Sequence, residues 1–125
     1  MSNQTFGAKI GRASAVLTTS EVSGTALLLD NVWGGDVVTQ FSFTLGMLTN
    51  VTLRAYVSMD NSTWFQLADD DGTVWSQIPT ADRTGAVIHH CAGWKYFKMS
   101  AQGSGTVTNS LLDFTHRFLK VGFQG

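Results

Sequence analysis

VTLRAYVSMDNSTWFQL, residues Val51 to Leu67, decides how the rest of the chain is read. Val51, Leu53, Ala55 and Val57 alternate with Thr52, Arg54, Tyr56 and Ser58. A period of two belongs to a strand with one buried face. Asp60-Asn61-Ser62 supplies turn chemistry, because Asp and Asn side chains bond nearby backbone N–H groups and tolerate left-handed dihedrals. Thr63, Trp64, Phe65 and Leu67 then resume extended structure with β-branched and aromatic residues. A hairpin with this much apolar surface needs a facing sheet.

Composition extends that reading to the whole chain. The 125 residues are enough for one domain with a real core. Charged residues make up 14%, against roughly 25% in ordinary soluble domains. Glu21 is the single glutamate, so no stretch has the Glu/Lys-rich outer face of a surface helix. Composition therefore favours an all-β chain. The net charge of −1 comes without a basic run, which argues against binding nucleic acid through its phosphates. No run approaches 18 apolar residues, so no helical membrane span is expected. The opening MSNQTFGAKIGRASAV lacks the basic start and apolar core of a signal peptide. Cys91 stands alone, so an intrachain disulfide is impossible.

Outward from the hairpin, the pattern predicts further short strands. Residues 1–12 carry few apolar anchors and read as an N-terminal arm, with Phe6 and Ile10 as its contacts; 13–125 read as the sandwich domain. Ala13 to Thr19 and Thr25 to Asp30 are expected as strands around a turn at Glu21-Val22-Ser23-Gly24. Val37 to Leu45 alternates as a half-buried strand, and Gly85 to His90 and Trp94 to Ala101 are also read as strands. Gln102-Gly103-Ser104-Gly105 is read as a hairpin turn, followed by strands from Thr106 to Phe114 and from His116 to Phe123. The sum is a single antiparallel β-sandwich of jelly-roll type with about eight strands.

The run Ser58-Met59-Asp60-Asn61-Ser62-Thr63-Trp64 resembles the S-x-D-G-x-x-W hairpin of discoidin-like, galactose-binding-type jelly rolls. Gly93-Trp94-Lys95-Tyr96-Phe97-Lys98-Met99 is similar to the A-R-Y-V-R-I strand of that group. Asn61 stands where the group usually has Gly, and the terminal cysteine pair of its sugar-binding members is absent. The same hairpin, the G-x-K-Y-F-K strand and the Gly/Ser segment also resemble small tailed-phage virion accessory proteins. That resemblance implies a capsid decoration (cement) protein. It would be made in the host cytoplasm and located in the virion. Its partners would be the major capsid protein and further copies of itself, with a trimer as the expected symmetry. The discoidin-like resemblance implies the alternative, a carbohydrate-binding module or a receptor-binding domain at a tail or fibre tip.

Residue chemistry narrows the rest. His89, His90 and Cys91, with His116, are the residues suited to zinc, but no C-x-x-C or H-x-x-x-H spacing accompanies them. Asp69-Asp70-Asp71-Gly72, with Asp82, lacks the full spacing of a calcium loop and reads as a solvated turn. Asp60 and Asp113 would serve glycoside hydrolysis only if the fold joined them. No G-x-S-x-G elbow occurs, and no enzyme, metal or cofactor is expected. Trp64 and Trp94 read as core residues. Trp33 and Trp75 lie near loops and are the candidate contacts for a glycan or a protein partner.

Overall fold

The structure is a computed structural model and describes residues 9–29, 36–68, 76–91 and 94–119. Within them the chain is all-β, with ten strands in two antiparallel sheets and no helix. The strands are β1 (Lys9–Ala15), β2 (Val22–Ser23), β3 (Leu27–Leu28), β4 (Asp36–Thr44), β5 (Leu48–Ser58), β6 (Trp64–Gln66), β7 (Ser76–Gln77), β8 (Arg83–His90), β9 (Tyr96–Gly105) and β10 (Leu111–Leu119). One sheet has the order β1-β10-β4-β8. The other has the order β2-β9-β5-β6, with β3 also on β9 and β7 also on β5.

The alternation of the central hairpin is obeyed. Val51, Leu53, Ala55 and Val57 are buried, while Thr52, Arg54 and Tyr56 stay half-exposed on the outer face. Facing them across the core are Val37, Phe41 and Phe43 of β4 and Leu112 and Phe114 of β10, all in one apolar cluster with Phe97 and Met99 of β9. Each large side chain buried here contributes about 1.5–3 kcal/mol. The β5–β6 turn is held by Asp60, whose Oδ1 accepts from the backbone N–H groups of Ser62 (2.9 Å) and Thr63 (2.7 Å). Asn61 takes φ of 60°, a left-handed conformation that Asn adopts more readily than most residues.

The second half of the chain departs from the expected turns. Gln102-Gly103-Ser104-Gly105 is not a turn but the end of β9, paired with β5 as far as Leu48↔Gly105. β5 is 11 residues long and keeps offering partners, so β9 runs on. Gly103 serves a close approach instead: its N–H donates to the Thr18 carbonyl (2.7 Å), and a Cβ there would lie 3.0 Å from that oxygen. The turn falls at Val107–Ser110, closed by the Ser110 N–H and hydroxyl on the Val107 carbonyl (3.1 and 2.7 Å), with Asn109 at φ 66°. Beyond it β10 is one unbroken strand, so the expected break near Thr115 does not exist. Val22–Ser23, read as turn, pairs with Ala101 and Ser100 as β2. The expected arm divides: Lys9 to Arg12 lie in β1 against β10, and residues 1–8 lie outside the described residues.

Candidate functional site

The outer face of the β9–β5 sheet gathers its polar side chains around one carboxylate. Alternation sends Arg54 and Tyr56 of β5, Lys98, Ser100 and Gln102 of β9 and Trp64 of β6 to the same side. Glu21, just before β2, reaches across them. Its Oε2 accepts from the Tyr56 hydroxyl (2.6 Å) and the Ser100 hydroxyl, with the Arg54 guanidinium at 3.5 Å. Partial burial works against the charged carboxylate. The Ser100 and Tyr56 hydrogen bonds and the Arg54 charge outweigh it and hold the Glu21 carboxyl below its ordinary value. The Tyr56 hydroxyl moves up, through burial and then through its bond to Glu21. The Lys98 ammonium lies 4.3 Å from the Trp64 ring centroid and 5.8 Å from that of Tyr56, within cation–π range. Glu21, Ser23, Tyr56, Trp64 and Lys98 line a shallow depression. The Tyr56 and Ser100 hydroxyl protons are spent on Glu21, so the carboxylate, the Lys98 ammonium and the Trp64 indole are the groups that a polyhydroxylated ligand with apolar ring faces would meet.

The outer face of the other sheet is different in kind. Register places Ile10, Thr115, Gln40 and Ala86 in one row across β1, β10, β4 and β8. Arg117, Val38 and Ile88 form the next row on one side, and Asp113, Ser42 and Thr84 the next on the other. Ile10 is 65% exposed and Ile88 52%. At the end of this face His90 Nδ1 lies 2.9 Å from Asp36 Oδ1.

Two histidines from this sheet point inward. His116 of β10 and His89 of β8 are both buried, and both rings lie against Phe97 of the opposite sheet, with centroids 5.4 and 5.1 Å away. His116 Nδ1 shares a 2.7 Å hydrogen bond with the Thr39 hydroxyl. Burial lowers His116 to about 4 and His89 to about 3, the latter with a further push from the neighbouring histidines. Both rings are neutral near pH 7. Cys91 is buried and its thiol is pushed up to about 12 by burial and by Asp36, so thiolate chemistry is suppressed.

Several residues singled out from sequence fall elsewhere. Phe6, Trp33, Trp75 and Asp69 to Asp71 lie outside the described residues. Ile10 sits on β1 and faces solvent. Asp82 accepts the Leu45 N–H (2.8 Å). Asp60 and Asp113 do not meet: one caps the β5–β6 turn, and the other lies on the outer face of the opposite sheet. His89 and His116, far apart in sequence, are brought together in the core. Among the described residues no group of three or more His, Cys, Asp or Glu side chains is assembled as a metal cage. Trp64 is not core but half-exposed at the outer face. Trp94 lies before β9 rather than in a strand, partly buried against the core and 5.9 Å from the exposed Phe65 ring. The Glu21 cluster went unread in sequence. Its signal was the outer-face alternation of β5 and β9 together with the lone glutamate.

Among the described residues, fold and surface thus give an all-β, two-sheet architecture whose candidate sites are two outer faces. No family model matches the chain, and no curated protein sequence matches it.

Proposed function

We propose that the chain is a structural protein of a tailed-phage virion, of the capsid-decoration kind, acting through protein–protein contacts. The observation that carries this reading is the outer face of the β1-β10-β4-β8 sheet. Its middle row is uncharged, Ile10, Ala86 and Ile88 are exposed, and Asp113 and Arg117 of β10 flank that row as charges that contact would have to desolvate or pair. We read the topology as a jelly roll. With β2 and β3 taken as one interrupted strand, and β6 and β7 as another, the sheets have the orders 1-8-3-6 and 2-7-4-5. Capsid proteins and lectins both use that architecture. Many weak, identical contacts on one shell then add to a strong attachment. The test is occupancy of purified shells lacking this protein. The full chain should saturate them, and a chain without residues 1–8 should bind more weakly while keeping its melting curve. No binding by the full chain would overturn the reading.

A second reading is a glycan-binding module, favoured by the Glu21, Tyr56, Trp64 and Lys98 cluster. In that case Trp64→Ala and Glu21→Gln should each abolish binding on a glycan array. If Trp33→Ala or Trp75→Ala abolishes it instead, the platform is at the loops.

A further inference from the structure

We propose that the outer face of the β1-β10-β4-β8 sheet pairs with the same face of a second copy, about a twofold axis lying across the strands at the Thr115–Gln40 row. This deepens the assembly reading above, on which it rests, by naming the surface used between copies and its symmetry.

The argument starts from two charges. Asp113 and Arg117 are both on the outer face of β10, two positions either side of Thr115. Four residues of strand span about 13 Å, too far for the two to pair within one chain. Neither belongs to any ion pair among the described residues. A face-to-face pair of sheets has its twofold axis in the contact plane. If that axis ran along β10, each Asp113 would lie over the other copy's Asp113, and if it ran between β10 and β4, Asp113 would lie over Ser42 and Arg117 over Val38, leaving both charges covered without partners. If it runs across the strands, each Asp113 lies over Arg117 of the second copy, and two ion pairs form. The charges therefore select one arrangement.

The remaining side chains suit it. Thr115 and Gln40 fall near the axis, where the two Gln40 amides can exchange hydrogen bonds. Val38 and Ile88 of one copy lie over Ser42 and Thr84 of the other, so the exposed isoleucine is covered by a small hydroxyl side chain. Stacked sheets stand about 10 Å apart, within reach of an Arg–Asp pair. The opposite outer face is poorly suited, since Arg54, Lys98 and Glu21 would all need desolvation. Four strands about 4.8 Å apart and seven residues long give a face of roughly 450 Å² in projection, the size of a weak and reversible contact. The symmetry is twofold, in place of the trimer expected from the virion resemblance.

Sedimentation velocity of the purified full chain, from micromolar to millimolar concentration, tests this. A monomer–dimer equilibrium is expected. Arg117→Asp should weaken it by about tenfold or more, because like charges then face each other. Combining Arg117→Asp with Asp113→Arg should restore it. Gln40→Arg, an exposed substitution at the axis, should also weaken it, and circular dichroism establishes that each variant is folded. A chain monomeric throughout, a trimer, a dimer indifferent to both Arg117→Asp and Gln40→Arg, or a charge swap that fails to restore pairing would each overturn the proposal. The experiment uses free protein, so its failure is separate from any failure of shell occupancy.

Discussion

The two outer faces are built by the same alternation and differ in what it exposes. Around β5 and β9 the exposed side chains are charged and aromatic, and they satisfy one another: Glu21 with Tyr56, Ser100 and Arg54, and Lys98 with Trp64. Around β10 and β4 they are small or neutral, and the two charges of β10 lack partners within the described chain. A face that satisfies itself is suited to a small ligand that slips between polar groups. A face with little to desolvate and charges left over is suited to another protein surface. The inner faces differ too. That of the β9–β5 sheet is apolar, whereas that of the β10–β4 sheet carries Thr39, His89 and His116.

The shared layer between the sheets is where the contrast breaks most completely. Phe97 is fully buried against both histidines, and Phe97→Ala should cost about 3–5 kcal/mol, read as a lowered urea midpoint at neutral pH. Acid should act on one sheet before the other. The folded pKa values of His89 and His116 lie below the ordinary 6.5, so their contribution is complete above that pH. As pH falls from 6.5 toward 4, the unfolded chain takes up protons that the folded one refuses. Stability should drop by about 2 kcal/mol for each histidine by about pH 5. Glu21 and Asp60 have depressed pKa values, so their contribution is lost only below their ordinary 4.5 and 3.8. Urea unfolding at a series of pH values should therefore show the loss beginning above the carboxylate range; a flat profile from pH 7 to 5 would contradict neutral, buried histidines.

Smaller changes sharpen the comparison. A Cβ at Gly11 would sit 2.1 Å from His116 Nε2, so Gly11→Ala should cost about 1–3 kcal/mol. Hydrogen exchange should then accelerate in β1 while β5 and β9 keep their protection. Glu21→Gln touches only the other outer face. It should cost at most about 1 kcal/mol, and the Tyr56 hydroxyl should titrate earlier in an ultraviolet pH titration.

Much of the fold was legible in local pattern. The β5–β6 hairpin announces itself by alternation and by Asp60-Asn61-Ser62, because both signals are local and the structure satisfies each within a few residues. The Gly103 segment misled for a local reason as well. Glycine permits a turn and also permits close approach of a distant backbone, and only the position of Thr18 distinguishes the two. Trp64 misled because an aromatic in a strand faces core or solvent according to register with Ser58, which the residue type does not state.

By itself the sequence determined the class of fold, the central hairpin and the low overall charge. These rest on periodicity, turn chemistry and composition, all of which are properties of neighbouring residues. Only the tertiary structure decided that Glu21 reaches Ser100, that His89 and His116 flank Phe97, and that Asp113 and Arg117 share a neutral face with Ile10 and Ile88. Those groupings join strands tens of residues apart. They follow from sheet order and register, which the whole core sets by burying its apolar faces together.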